Sequence, residues 1–299
     1  MQATEPPPDL SAVPAPETLI ATVRARSPRG LVRGLGERLG LREMVQGMEQ
    51  ELPSVFGDDE QLARTVDLDA PADIVVYLNP RGRGRAVIAL GAVSMPRAED
   101  ALTQGHRLTP IGNGARKIER VAHGDDCPDG PSQAECVVAS STQCALAPMP
   151  GEGHPARLVC ADRFGDIEPV LAYLSRTLPR SALAQADGDL LVELNADGMR
   201  RELDDDAREL ANGLPELLVP RPDPNNPALQ GLVRDYARDQ LAASLAAGLN
   251  DLGGARLSLH FADGATTVHG ELSLRATGAP LVRRIVTAAR DIHPTADAL

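Results

Sequence analysis

The chemistry that this sequence indicates most clearly belongs to its cysteines, which all lie in one short stretch of the 299-residue chain: Cys127, Cys136, Cys144 and Cys160. Structural zinc sites usually take two cysteines from one tight turn, at the spacing C-x2-4-C, and this stretch has no such pair. Zinc is therefore disfavoured. Disulfides are the favoured explanation, with unrelated buried thiols as the alternative.

Turn-forming residues favour a disulfide between Cys144 and Cys160. Residues 150–153 read Pro-Gly-Glu-Gly and lie midway between these two cysteines. A hairpin centred on Glu152 would place them directly opposite each other. Such a bridge closes a short loop and persists only in an oxidising compartment.

An Asp-Gly-Pro turn lies in the same way between Cys127 and Cys136 and predicts a second disulfide. A calcium loop is the competing interpretation, because Asp125, Asp129 and Gly130 match three positions of an EF-hand. The two cysteines stand where calcium would need oxygen ligands, however. A disulfide-closed acidic turn is therefore favoured over a weak calcium site.

The final predicted hairpin carries the remaining candidate ligands, His260, His269 and Glu271, on one face. Two imidazoles and a carboxylate could meet a metal there, but a solvated or partner-facing sheet surface explains them equally well. We keep these three residues as surface-site candidates and assign no metal and no cofactor.

The sequence contains no recognised catalytic signature. The patterns G-x-S-x-G, H-E-x-x-H and G-x-x-x-x-G-K-[ST] do not occur. Gly34, Gly36 and Gly40 do not directly follow the predicted strand, which disfavours a dinucleotide loop. Three histidines beside turns are predicted to be surface residues: His106, His123 and His154. No catalytic residue is therefore assigned.

Charge and composition exclude two classes of partner. Thirty basic and 42 acidic residues give a net charge of −12, which repels the phosphate backbone of nucleic acids. Three Tyr, three Phe and no Trp are too few for a platform that stacks sugars or bases. No apolar run approaches the length of a transmembrane helix.

Hydrophobic periodicity predicts the same order of elements twice. The first set is a strand at 18–26, a helical region that Ser27 caps and that breaks near Gly40, a hairpin at 72–78 and 85–93, and a helix at 96–104. The second set is a strand at 189–195, helices at 197–218 and 228–252, a hairpin at 255–262 and 265–276, and a helix at 280–290.

This order predicts an α+β fold of antiparallel sheets with packed helices, in which two similar β-α-α-β-β-α halves flank a disulfide-containing β insert. The boundaries are a Pro-rich disordered tether at 1–15, a first half at 16–105, an insert at 106–186 and a second half at 187–299. The insert combines cysteine hairpins with a helix at 166–178. The alternative is that any α+β chain would match so coarse a string of elements.

Residues 13–22, the segment 158–178, the strand at 190–194 and the final hairpin resemble a family of exported bacterial proteins of unknown function. In that family a start of proline, a small residue, an acidic residue, Thr and Leu leads into a repeated α+β body. The resemblance implies an exported protein with a repeated body and implies no active site. The cysteine insert lies outside the family pattern.

The first fifteen residues lack the basic and apolar regions of a signal peptide, so we expect the chain as given to begin after one. Five prolines within residues 5–16 are typical of an extended tether. We therefore expect an extracytoplasmic protein, in the periplasm or on the outer surface of a bacterium. Membrane association would come only through an N-terminal anchor.

The leading hypothesis is a non-enzymatic cell-envelope protein that binds or scaffolds an envelope protein or an apolar ligand, with a lipid or lipoprotein carrier as its sharper form. Antiparallel sheets backed by aliphatic helices can enclose an apolar cavity. The alternative is an exported hydrolase whose active-site residues come together only in the fold.

Overall fold

The computed structural model describes residues 7–39, 59–123, 135–137, 140–198, 251–262 and 265–274. Antiparallel pairing joins all the strands in these residues. The eleven strands of these residues are β1 (Leu19–Ala25), β2 (Ala72–Leu78), β3 (Gly84–Ala92), β4 (His106–Gly112), β5 (Ala115–His123), β6 (Glu135–Val137), β7 (Gln143–Pro148), β8 (Ala156–Ala161), β9 (Leu190–Asn195), β10 (Leu252–Ala262) and β11 (Ala265–Leu274). Their order across the sheet is β11-β10-β9-β1-β2-β3-β8-β7-β5-β4, and β6 pairs with β5.

The helices of the described residues are α1 (Pro28–Leu39), α2 (Glu60–Thr65), α3 (Met95–Leu102), α4 (Phe164–Ala172) and α5 (Ala182–Gln185). A π-helical turn (Tyr173–Thr177) and a 3-10 turn (Leu178–Arg180) connect α4 to α5. The predicted cap of α1 is confirmed, since the amide of Gly30 donates to the hydroxyl of Ser27 at 2.9 Å.

The prediction of antiparallel strands with accompanying helices is confirmed, and so are the predicted hairpins at 72–78 with 85–93 and at 255–262 with 265–276, to within a few residues. The described residues are mostly sheet, however, and their strands join one sheet where several were expected. Most of the helices predicted at 197–218 and 228–252, and all of that at 280–290, lie outside the described residues.

One face of the sheet, the covered face, packs against α4, the two turns that follow it and α5. Alternating strand positions supply the sheet side of this core, and Val75, Val87 and Val159 are fully buried in it. Ile167, Val170 and Leu174 supply the helix side and are also fully buried. Aliphatic contact of this kind is the main stabilising term available to a chain with so few aromatic residues.

A buried ion cluster of Arg24, Asp73 and Arg157 lies in the middle of the covered face. Asp73 is 0% exposed and forms an ion pair with Arg157, which is 1% exposed. On its other side Asp73 faces Arg24 directly across β1 and β2, with Nη1 of Arg24 3.4 Å from Oδ1. Since β1, β2 and β8 each contribute one member, the cluster connects strands that are not all neighbours.

The guanidinium of Arg157 also satisfies a helix carbonyl that has no intrahelical donor. In the π-helical turn the amide of Leu178 donates to Tyr173, one residue earlier than an α-helix would require. The next candidate donor to Leu174 would be residue 179, a proline without an amide hydrogen. Nη1 of Arg157 donates to the Leu174 carbonyl instead, at 2.9 Å. The cluster therefore attaches the helical layer to the sheet.

A second core lies on the opposite face, over β5, β7 and β8. Leu62 of α2 and Ala98 and Leu102 of α3 pack there against Leu146 and Leu158. Residues 7–15 of the predicted tether have no helix or strand. Val13 exchanges two hydrogen bonds with Thr177, at 2.8 and 2.7 Å. The predicted domain boundaries stay predictions.

The disulfide predicted between Cys144 and Cys160 is confirmed. The two residues lie directly opposite each other in the β7–β8 hairpin, with a Cα–Cα distance of 4.2 Å. Cys136 is also disulfide-bonded. Its predicted partner Cys127 lies outside the described residues, so that pairing stays a prediction, as does the choice between a disulfide and a calcium loop there.

Asp73→Asn should lower the free energy of unfolding by about 3 to 5 kcal/mol, because it leaves two buried guanidinium groups without a counter-charge. Urea unfolding followed by circular dichroism measures this change. Asp187→Asn is the matched control: its ion pair with Arg26 is exposed, and the loss there should be under about 1 kcal/mol. Equal losses in the two variants would contradict the role of the cluster.

Replacing Cys144 and Cys160 together by Ala should lower the free energy of unfolding by about 3 kcal/mol, because the bridge closes a short loop of the unfolded chain. The measurement is urea unfolding without reductant. Intact mass after alkylation of the unreduced wild type, purified from its native compartment, provides the control, and alkylation of either cysteine would contradict the bridge.

Candidate functional site

The candidate binding surface is the part of the sheet opposite the covered face that spans β3, β2, β1, β9, β10 and β11; we call it the apolar face. Residues directly opposite each other in antiparallel strands point to the same side of a sheet. The central row of such residues is Ile88, Ile74, Val23, Val192, Leu257 and Gly270. This row therefore crosses six strands and contains no polar side chain.

The rows on either side of the central row are also apolar. One consists of Ala86, Val76, Ala21, Leu194, Ala255 and Leu272. The other consists of Ala72, Ala25, Leu190, Leu259 and Val268. Alanine and glycine recur between the larger side chains, which makes the surface uneven and leaves shallow depressions between Leu, Ile and Val.

The apolar face is exposed on its outer strands, β2, β3, β10 and β11, whereas its residues on the middle strands β1 and β9 are half-buried or buried. Ile74 and Ile88 are 37% and 36% exposed, and Leu257, Val268 and Leu272 are 40%, 60% and 54% exposed. Single exposed apolar residues are ordinary, but a contiguous apolar surface of this kind usually contacts a ligand or a partner. The register of the sheet brings these side chains together from three distant parts of the chain.

A pocket of about 300 Å3 opens where the apolar face meets the end of β8. Its floor is apolar and includes Ala86, Ile88 and Leu90. Its rim is polar and includes Arg85 and Asp166, with Nε of Arg85 3.5 Å from Oδ1 of Asp166. The pocket therefore presents an ion pair beside an aliphatic surface.

A second cleft of about 360 Å3 lies on the covered face, beyond the edge of the helical layer, and is lined by polar side chains. Arg256 donates to Glu193 at 2.9 Å, and this hydrogen bond raises the pKa of Arg256. Burial raises the pKa of Tyr173, which keeps its phenol protonated and able to donate. Because Arg256 lies on β10 and Glu193 on β9, their pairing favours a role in holding these two strands together.

The predicted surface-site residues lie on one side of the last hairpin, as expected, but they have separate partners. His260 lies opposite Thr267 and 3.3 Å from Asp189, whereas Glu271 lies opposite Arg256. His269 is exposed. Among the described residues, no three His, Cys, Asp or Glu side chains gather as a metal site would require.

The prediction that His106 lies on the surface is wrong. Its side chain is 4% exposed, and Nε2 lies 2.7 Å from Oδ2 of Asp59. Asp59 also caps α2 by accepting from the amide of Leu62 at 3.0 Å. A single carboxylate therefore joins the helix to the edge strand β4, which is why this histidine is buried. His154 is exposed as predicted, and the side chain of His123 lies outside the described part.

Sequence reasoning missed the buried ion cluster and the charged rim of the pocket. The signal for the cluster is present in the sequence, since Arg24, Asp73 and Arg157 each interrupt an otherwise apolar strand. Charged residues in such positions are almost always paired when they are buried. The rim has no comparable signal, because Arg85 and Asp166 are ordinary surface types in sequence.

Comparisons with protein-family models, with curated proteins and with solved structures find no match to this chain. Within the described residues, no helix has both the length and the apolarity needed to cross a membrane. The disulfide indicates an oxidising, non-cytoplasmic environment.

The Asp59–His106 pair should make stability depend on pH in acid. Burial of Asp59 opposes its ionisation, but the hydrogen bonds from His106 and Leu62 outweigh this and lower its pKa below the ordinary 3.8. Its contribution is therefore complete above about pH 4 and is lost as the pH falls through the lowered folded-state pKa. Asp59→Asn keeps a capping oxygen but removes the charge.

The measurement is the difference in unfolding free energy between wild type and Asp59→Asn from pH 2 to pH 7. We expect a constant loss at neutral pH that shrinks towards zero in strong acid. Glu60→Gln removes an exposed carboxylate beside Asp59 and should show almost no difference at any pH. A difference for Asp59→Asn that does not change with pH would contradict the charged pairing.

Proposed function

We propose that this protein is an extracytoplasmic binding protein that holds the acyl chain of an amphiphile against the apolar face of its sheet. The observation that carries the proposal is the set of three adjacent cross-strand rows, each apolar from one side of the surface to the other. An acyl chain gains free energy roughly in proportion to the apolar area that it covers, and it needs no directional partner along its length.

The pocket beside Arg85 supports an amphiphile in preference to a plain hydrocarbon. Its aliphatic floor continues the apolar face through Ala86 and Ile88, and its rim offers the guanidinium of Arg85 and the hydroxyl of Thr142. The acyl chain would lie along the rows with its polar head at this rim. Asp162 and Asp166 on the same rim disfavour a strongly anionic head and favour a neutral or zwitterionic one.

The periplasm or the outer surface of a bacterium is the proposed location. The cross-strand disulfide supports a compartment that keeps such bonds oxidised. A carrier or a scaffold in the cell envelope would meet amphiphiles there, which fits the binding surface proposed above.

We also propose that the chain consists of two similar halves that arose by duplication. The strand order supports them: β1-β2-β3 run outward on one side of the β1–β9 contact, and β9-β10-β11 run outward on the other. Each triplet is one strand followed by a hairpin, and each contributes its alternate residues to the apolar face. A duplication would therefore explain why that face extends evenly to both sides of the centre.

The test is titration of the protein with a zwitterionic lysophosphatidylcholine whose acyl chain carries a dansyl group, followed by fluorescence. We expect saturable binding with a blue-shifted emission, and a loss of affinity of about tenfold in Ile88→Gln, because a polar amide replaces an aliphatic contact. Ile88 is already 36% exposed, so the substitution should leave the fold intact. Urea unfolding checks that point.

Val137→Gln is the matched control, because Val137 is 48% exposed on β6 and lies outside the apolar face. It should bind the probe as the wild type does. Absence of saturable binding, or equal losses of affinity in the Gln variants of Ile88 and Val137, would overturn the proposed function.

A further inference from the structure

β11 forms one edge of the sheet, and no other strand of the described residues pairs with its outer side. Apart from the pairing with β10, residues 266–273 make no hydrogen bond in the described part of the chain. The corresponding strand of the first triplet, β3, is covered by β8 on its outer side. An open edge strand of this length is a template for pairing with another strand.

The hairpin geometry determines which backbone groups of β11 face outward. The amide of Asp189 donates to the Leu259 carbonyl, so Leu259 directs its backbone groups towards β9 and not towards β11. Backbone groups alternate in direction along a strand. Val268, which lies opposite Leu259, and Gly270 and Leu272 after it therefore direct their N–H and C=O groups outward.

The two edge strands of the sheet differ in the residues that hinder the addition of another strand. β4, at the other edge, contains Pro110, which cannot donate a hydrogen bond to an added strand. β11 contains no proline and no lysine, and Glu271 is its only acidic residue. Val268 and Leu272 are 60% and 54% exposed on one side of it. Within Ala265–Leu274, therefore, the sequence carries none of these devices against an added strand.

We propose that β11 pairs with β11 of a second copy of this chain, antiparallel and centred on Gly270. This register places Glu271 of each copy opposite His269 of the other and joins opposite charges when the histidine is protonated. It also places Val268 opposite Leu272, on the apolar face. The outward backbone groups of the two strands meet each other, and the apolar face continues from one copy into the next.

The complementarity of the side chains around Gly270 favours a second copy of the chain as the partner, and it favours this register. A shift of two residues in the paired positions would set His269 against His269 and Glu271 against Thr267, which loses both charge pairs and the Val268–Leu272 contact. The self-complementary sequence around Gly270 therefore favours a two-fold symmetric partner. The inference does not depend on which ligand the apolar face binds.

Sedimentation equilibrium of the full chain over a range of protein concentrations tests the proposal. We expect a concentration-dependent dimer for the wild type and at least a tenfold higher dissociation constant for Gly270→Pro. The amide of Gly270 faces outward, so proline removes an intermolecular donor and spares the hairpin. An added Cβ at residue 270 meets no atom within 4 Å, so the hairpin has room for it.

Gly270→Ala is the matched control, because it adds a side chain but keeps the amide, and its dissociation constant should stay within threefold of the wild type. His269→Glu tests the charge pairs separately: it should weaken the dimer, because two carboxylates then face each other, whereas His269→Lys should preserve it. Residue 269 lies opposite Ser258 within the same chain, so neither change places two like charges directly opposite each other in the hairpin.

A wild type that is monomeric at all concentrations would overturn the proposal. So would a dimer whose dissociation constant is unchanged by both Gly270→Pro and His269→Glu, since its interface would then lie elsewhere. Binding of the dansyl probe is measured on the same variants. A wild-type probe affinity in monomeric His269→Glu, whose side chain lies on the face opposite the apolar one, would show that the pairing and the proposed function are separate.

Discussion

The fold depends above all on one buried interaction, in which Arg24 and Arg157 both pair with Asp73. Asp73 has no exposed surface, so its charge is tolerated only because Arg157 and Arg24 lie on either side of it. Arg157 also binds the Leu174 carbonyl that the π-helical turn and Pro179 leave without a donor. The strands and the helical layer must therefore reach their final positions together.

The cluster also explains why the two faces of the sheet differ so strongly. The charged positions of β1, β2 and β8 alternate with aliphatic ones, so every charge lies on the covered face. The opposite positions are then free to be apolar in every strand. This separation concentrates Ile, Leu and Val on one surface, which the second core covers over β5, β7 and β8 and which α1 approaches where Gly34 lies against Phe261.

The two sides of the sheet are stabilised by different interactions. At one end the Cys144–Cys160 disulfide and the Asp59–His106 pair fasten β7, β8 and β4 to their neighbours and to α2. At the other end the last hairpin has polar side chains on one side, apolar side chains on the other, and an open backbone edge. In the described residues, a disulfide and a buried ion pair therefore hold the β7, β8 and β4 side of the sheet, whereas β11 pairs with one strand only.

The sequence by itself determined the hairpins, the Cys144–Cys160 bridge and the faces of the last two strands, because turn residues and strict alternation act over a few neighbouring positions. It did not predict that all described strands would join one sheet, that His106 would be buried, or that Arg24, Asp73 and Arg157 would meet. Those features depend on contacts between residues that are distant in the sequence. Asp73 and Arg157, for example, are 84 positions apart. Only tertiary packing brings such residues together, and only burial makes their pairing obligatory.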